Sequence, residues 1–259
     1  MKIPFHKYQG TGNDFIMIDN LSGEYSFIGI QHVKKLCDRR FGIGADGLIL
    51  INSHDTLDFE MDYYNSDGSK SFCGNGARCA VQFFLSLTSE KQECHFLAID
   101  GKHSAFLKDK EIALEMSPVS TMETLENDYV LNTGSPHYIQ SVTNLSEMDV
   151  FTAGRRIRNS SRFFIEGINV NFVHRLAAAH LSIRTYERGV EDETLSCGTG
   201  ATACALVEGL NLAIGEQTVR VDVLGGQLHV SFTRHADNSF SHVTLQGPAT
   251  FVFEGEIHV

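Results

Sequence analysis

One short pattern is written twice in this chain. Cys73-Gly74-Asn75-Gly76-Ala77 and Cys197-Gly198-Thr199-Gly200-Ala201 both read C-G-x-G-A, nearly half the chain apart. An apolar run suited to a buried helix follows each: Val81, Phe83, Phe84 and Leu87 in one, Leu206, Val207 and Leu210 in the other. An alternating, strand-like segment precedes each, at 59–64 and 181–186. Strand, polar loop, cysteine and glycine-rich helix start therefore occur twice in the same order. Such an internal duplication predicts two similar halves that meet face to face.

The position of the cysteines carries the chemistry. A helix start leaves backbone N–H groups without intrahelical partners, and the macrodipole adds about half a positive charge there. The glycines keep side chains away, so an anion can approach the bare amides. A thiol so placed is expected to ionise easily, its pKa falling from ~8.5 towards ~7 or lower. One such unit is a cysteine nucleophile or an anion site. Two brought together suggest a carboxylate held between helix starts with a sulfur on either side. That geometry suits removing a proton from one face of a carbon and returning one to the other.

Composition narrows the class. A chain of 259 residues can bury a sizeable core, and the duplication divides it into two domains of ordinary size. The formal charge of −11, spread along the chain, argues against a non-specific nucleic-acid surface. The first residues lack an apolar core of signal-peptide length, and no run is long enough to span a membrane. The six cysteines show no C-x-x-C spacing, so a reducing, cytoplasmic setting is expected. Cys37, Cys79, Cys94 and Cys204 read as small buried hydrophobes. The histidines lack metal-ligand spacing, and neither a metal nor a cofactor motif is found.

Taken in order, residues 3–19 read as strand, interrupted by a turn at Gly10-Thr11-Gly12-Asn13-Asp14. That turn is either a hairpin connection or a place where Asn13 offers its amide to a polar ligand. Residues 27–38 resemble an amphipathic helix with Ile30, Val33, Leu36 and Cys37 on its apolar side. The glycine-rich turn 41–47 follows a helix and enters a strand, the wrong order for a phosphate loop. Asn65-Ser66-Asp67-Gly68 is a strong turn delivering the chain towards Cys73. Strands return over 94–116, and the polar stretch from Pro118 to Asp128 reads as a linker. Residues 149–158 form a short helix or an irregular basic patch. The strand 167–173 carries Asn169 and Asn171 amid apolar neighbours, and 187–191 is the loop leading to Cys197.

Together these stretches resemble the diaminopimelate epimerase family. The matching pieces are 10–15, 40–47, 65–68 and 73–79 in the first half, then 134–137, 187–189, 196–200 and 247–255 in the second. They keep the family's order over almost the whole chain. The resemblance implies an α+β fold of two pseudo-symmetric domains, each with strands wrapped around a central helix and the site in the cleft between them. It places the domains at 1–117 and 118–248, with a last strand, about 249–259, packing back on the first. It implies an isomerase that interconverts LL- and meso-2,6-diaminopimelate without cofactor, for lysine and peptidoglycan precursors, and a homodimer.

Carried over by residue, the resemblance makes Cys73 and Cys197 the proton-transfer groups, with His137 and Glu187 adjusting their protonation. Gly74, Asn75, Gly198 and Thr199 supply helix-start amides to the reacting carboxylate. Asn13, Asn65, Asn169, Glu187 and Arg188 hold the substrate's polar ends, Arg188 suiting a bidentate grip on a distant carboxylate. Ser135 departs from the asparagine that many members carry in the G-x-P-H turn, so a different contact is expected there. The thiol/thiolate pair is also expected to oxidise together in the empty enzyme, linking Cys73 to Cys197. Competing readings are a proline or hydroxyproline racemase of the same fold, a thiol redox sensor, and a silent binding protein for an acidic amino acid.

Overall fold

The computed structural model describes residues 2–88 and 91–258. Met1, Ser89, Glu90 and Val259, two of which bound the expected domains, lie outside the described residues. The chain divides into two compact units, Met1–Leu114 with Gly247–Val259, and Glu115–Gln246.

The first unit opens with β1 (Lys2–Gly10) and β2 (Asn13–Asn20), an antiparallel hairpin. Its two-residue turn has Thr11 at φ 49° and Gly12 at φ 93°, the twist that two-residue hairpins favour. Then come α1 (Ile30–Cys37), β3 (Gly47–Asn52), β4 (Phe59–Asn65), α2 (Gly74–Leu87), β5 (Glu93–Ala98), β6 (Gly101–Lys108) and β7 (Glu111–Glu115). β2 pairs parallel with β3, β3 antiparallel with β4, β4 parallel with β5, and β5 antiparallel with β6, which pairs with β7.

The second unit contains β8 (Glu123–Leu125), β9 (Asp128–Asn132), β10 (Pro136–Ser141), α3 (Val150–Arg158), β11 (Asn169–Ala177), β12 (His180–Glu187) and β13 (Asp192–Thr194). It continues through α4 (Gly198–Gly209), β14 (Gly215–Val223), β15 (Gly226–Arg234) and β16 (Phe240–Gly247). Its pairings repeat those of the first: β9–β10 antiparallel, β10–β11 parallel, β11–β12 antiparallel, β12–β14 parallel, then β14–β15 and β15–β16 antiparallel. The duplication read from the two cysteine motifs is thus a repeat of strand order and direction. The final strand, β17 (Thr250–His258), pairs antiparallel with β1, with Lys2 opposite His258.

Each unit is built around its apolar helix. In α2 the residues from Gly74 to Val81 are all buried, with Phe83 and Phe84. In α4 every residue but Thr199 and Val207 is buried, and even Glu208 lies inside, its carboxylate held by Arg175 at 2.8 Å. A helix apolar on nearly every side must be enclosed, and the strands supply the enclosure: α2 packs on β1 to β4, α4 on β9 to β12, β14 and β15. Val219, Val221, Leu228, Val230, Phe232 and Phe240 form the wall around α4.

Some expectations need correction. Leu87, at the end of α2, is 38 % exposed. Ile30 is 51 % exposed as the first residue of α1, where its side chain leans on Gly68 rather than on the core; Val33, Leu36 and Cys37 are buried as expected. Residues 118–128 are not a bare linker, because β8 pairs with β9 and Val119 bridges Phe240. The loop towards Cys197 contains β13, a short hairpin partner of β12. Of the two readings open for 149–158, the helix is the one formed, capped by Asp149, whose carboxylate accepts from the Thr152 amide at 3.0 Å.

Candidate active site

Both motif cysteines are N-cap residues in extended backbone conformation, Cys73 before α2 and Cys197 before α4. Each carbonyl accepts the first intrahelical bond, from Ala77 at 2.8 Å and Ala201 at 2.9 Å. The Gly76 amide points at the sulfur of Cys73, 3.5 Å away. A side chain at this place meets the positive end of the helix. The sequence alone specifies this much, since cysteine before G-x-G leaves the first turn bare.

Around the first helix start the amides form a directed chain. Arg78, fully buried, donates to Asn75 Oδ1 at 2.9 Å and to Thr11 Oγ1 at 3.2 Å. Asn75 donates to Asn13 Oδ1 at 2.6 Å, and Asn13 donates to Asp46 Oδ2 at 3.0 Å. Arginine only donates and a carboxylate only accepts, so the two ends fix the orientation of both amides. Behind them Asp14 takes Lys7 at 2.7 Å and Arg39 at 2.6 Å. Burial pushes the Asp14 carboxyl up, but the bonds from Arg39 and Lys7 outweigh it and hold the pKa at about 2. Asn65 ends β4, its Oδ1 accepting from Tyr63 at 2.9 Å and its Nδ2 donating to Ser69 Oγ and Ser71 Oγ at 3.0 and 3.2 Å. The turn before Cys73 is thereby tied to the strand.

The second helix start is furnished differently. His137 is fully buried on β10, its Nε2 2.9 Å from Thr199 Oγ1 and its Nδ1 3.1 Å from Asn171 Nδ2. Thr199 Oγ1 lies 3.5 Å from the sulfur of Cys197, and Thr133 Oγ1 donates to the Thr199 carbonyl at 2.8 Å. Burial first, then the charge of Arg188, press the His137 pKa down to about 3. Ser135 bridges Asn169 and Arg188: its hydroxyl accepts from Asn169 Nδ2 at 2.8 Å and from Arg188 Nη2 at 3.4 Å. Asn169 Oδ1 in turn accepts from the Arg188 backbone amide at 2.9 Å, and Arg188 Nη1 donates to the Glu166 carbonyl at 3.1 Å. Glu187, one residue before, accepts from Thr194 Oγ1 at 2.9 Å.

The expected residues therefore gather, within each unit, at a helix start: Asn13, Gly74 and Asn75 with Cys73, and His137, Gly198 and Thr199 with Cys197. Asn169, Arg188 and Ser135 form an adjoining cluster in the second unit. Two residues escaped the sequence reading. Arg78 lies one helical turn beyond Asn75, a spacing that puts both on one face. Asn171 lies two residues from Asn169, on the same face of β11. The other four cysteines are buried, with burial pushing the thiols of Cys37, Cys79 and Cys94 up to about 12 and Cys204 upward as well. They are inert at neutral pH. Among the described residues no cluster of metal-ligating side chains occurs, and no helix is long and apolar enough to cross a membrane.

Comparison with known proteins agrees with this layout. The family model described as diaminopimelate epimerase matches residues 5–122 and 129–252. Diaminopimelate epimerase of Flavobacterium psychrophilum is 49 % identical over 254 residues, covering 97 % of this chain and 99 % of that protein. The protein of the same name from Chlorobaculum tepidum is 43 % identical over 258 residues, covering 96 % and 98 %. A phenazine biosynthesis protein of the PhzF family from Bacillus anthracis shares the fold, with a TM-score of 0.78 at 13 % identity and full coverage of both chains. A hydroxyproline epimerase from Agrobacterium vitis does so at 0.68 and 14 %, covering 99 % and 91 %. With two repeated units, a cysteine at the N-cap of each central helix, and a family match over nearly its whole length, the chain belongs to the diaminopimelate epimerase family.

Proposed function

We propose that this protein is an isomerase that interconverts LL- and meso-2,6-diaminopimelate, serving lysine and peptidoglycan precursor synthesis. The observation that carries this reading is the pair of cysteine-capped helix starts in a chain of this family. The α-carbon is a poor acid because its neighbour is already a carboxylate, and deprotonation adds charge to those oxygens. Amides of Gly74, Asn75, Gly198 and Thr199 answer that charge; one such donor is typically worth ~3–4 kcal/mol in the transition state. Inversion needs a base on one face and an acid on the other. Cys73 and Cys197 take these roles as one thiolate and one thiol, exchanging them in the reverse direction. No cofactor enters this scheme.

Asn13, Asn65, Asn169 and Arg188 hold the amino and carboxylate groups, with Ser135 bracing Asn169 and Arg188. Glu187 and His137 adjust the cysteines. His137 acts as a neutral hydrogen-bonding ring rather than as a cation, since its pKa of about 3 leaves it unprotonated at working pH. The cytoplasm is the setting in which both thiols stay reduced. A homodimer is part of the same reading, supported by Phe251, Val252 and Phe253 standing 46, 51 and 45 % exposed along β17. Sedimentation should give the mass of two chains, and F253E should return it to one.

The test is α-deuterium incorporation from heavy water into LL-diaminopimelate. Exchange that stops after thiol alkylation, and in Cys73→Ala and Cys197→Ala, is the expected result. Absence of exchange would leave a sensor or binding protein, and preferential exchange of hydroxyproline a sister racemase.

A further inference from the structure

Asn171 has no part in the scheme above, yet it is fully buried and touches its centre. One N–H of its Nδ2 donates to the Tyr138 carbonyl at 3.1 Å. A carbonyl only accepts, so this contact fixes which end of the amide is nitrogen. Its Oδ1 then receives the Thr185 hydroxyl at 2.9 Å, completing the assignment. The other N–H of Nδ2 meets His137 Nδ1 at 3.1 Å, and an N–H can bond only to a ring nitrogen that carries no proton.

We infer that Asn171 is a positioning residue that holds His137 as the Nε2–H tautomer, leaving the Thr199 hydroxyl to donate to the sulfur of Cys197. The Nε2–H donates to Thr199 Oγ1 at 2.9 Å. The single hydroxyl proton of Thr199 is therefore not spent on the ring, and the nearest sulfur acceptor is 3.5 Å away. A donor aimed at sulfur favours thiolate over thiol. The charged group that bears on the ring is Arg188, which together with burial keeps the ring from taking a second proton.

The second glycine of the motif makes this arrangement possible. A Cβ on Gly200 would lie 2.4 Å from Asn171 Oδ1 and 3.3 Å from the Cys197 sulfur. At the first helix start the counterpart Gly76 faces Ile49 Cδ1 at 3.2 Å and Phe15 at 3.4 Å, an apolar surface. The relay from amide to ring to hydroxyl to sulfur thus leads to Cys197. At Cys73 the corresponding place is taken by Asn75, oriented from Arg78.

The inference rests on the proposed function only in treating Cys197 as a proton-transfer group; the ring itself is measured without substrate. Nitrogen-15 correlation spectra of the histidine side chains at pH 7, with H137Q identifying the signal, report the tautomer directly. A proton on Nε2 and a bare Nδ1 are expected; a proton on Nδ1, in either the other tautomer or the imidazolium, overturns the inference. In N171D the introduced carboxylate accepts and cannot donate, so Nδ1 should gain a proton; an Nδ1 that stays bare would refute the role of the amide. The last link is read in T199V, where alkylation of Cys197 at pH 7 should slow by ~10-fold relative to Cys73, the equivalent of about one pKa unit. An unchanged ratio removes that link. Should the tautomer be as expected while Cys197→Ala still epimerises, the proposed function fails and the assignment of Asn171 stands.

Discussion

Cys73 and Cys197 look alike in sequence, but what stands behind them differs. Arg78, buried beneath the Cys73 helix start, has Nε and Nη1 without hydrogen-bond partners among the described residues. Burial lowers its pKa, while Cys79, Cys73 and Glu111 are the groups that pull the other way. A buried, half-satisfied cation costs stability, so its contribution belongs to function. R78M is expected to hold or raise the melting temperature while cutting kcat by ~10-fold or more, a loss of about 1.4 kcal/mol in the barrier. A variant that melts several degrees lower with unchanged turnover would contradict this. His137 makes a prediction in pH. Its folded pKa of about 3 lies below the ordinary ~6.5. The unfolded chain therefore binds the proton first, and the stability tied to the neutral ring is complete above pH ~6.5 and lost as pH falls towards 3. Between pH 6.5 and 4.5, above the range where Asp14 titrates, H137Q should flatten the slope of unfolding free energy by up to ~1.4 kcal/mol per pH unit. Denaturant melts across that window would measure it.

At the scale of elements, close approach sets the tolerances. Gly154 of α3 lies so near β12 that an added Cβ would stand 2.3 Å from Tyr186 Cβ, an atom fixed to the strand. G154A should lose ~1–3 kcal/mol in denaturant unfolding while keeping its activity per folded molecule; unchanged stability would show that α3 can shift. The cysteine-capped helices were legible because their signals are local: a small residue pattern, an apolar run, a strand before. The strand β8 was not, since Glu-Thr-Leu among polar neighbours carries no alternation and its pairing comes from β9. Ile30 was placed in the core by helical spacing, but the helix begins at that residue and leaves it half outside. Asn171 shows the limit most clearly. A second amide in an apolar strand reads as structural, and its meaning comes from His137 on a different strand and Gly200 on a helix.

For the molecule as a whole, the proposed convergence of two sulfurs on one carbon has a chemical signature. The thiols of Cys37, Cys79 and Cys94 sit near pKa 12 through burial and should stay reduced under mild oxidant. Peptide mapping after such treatment should find Cys73 joined to Cys197, with activity lost and restored by reductant. Pairs formed among the other cysteines would argue against a shared substrate carbon. A last consequence follows from β17 lying against β1. On the ribosome, β1 must wait for a partner strand that is made only after the whole second unit. The second unit, continuous from 115 to 246, can close while the first is still missing an edge. The half that is synthesised first is thus finished last, and its long loop closure makes it the slower to fold.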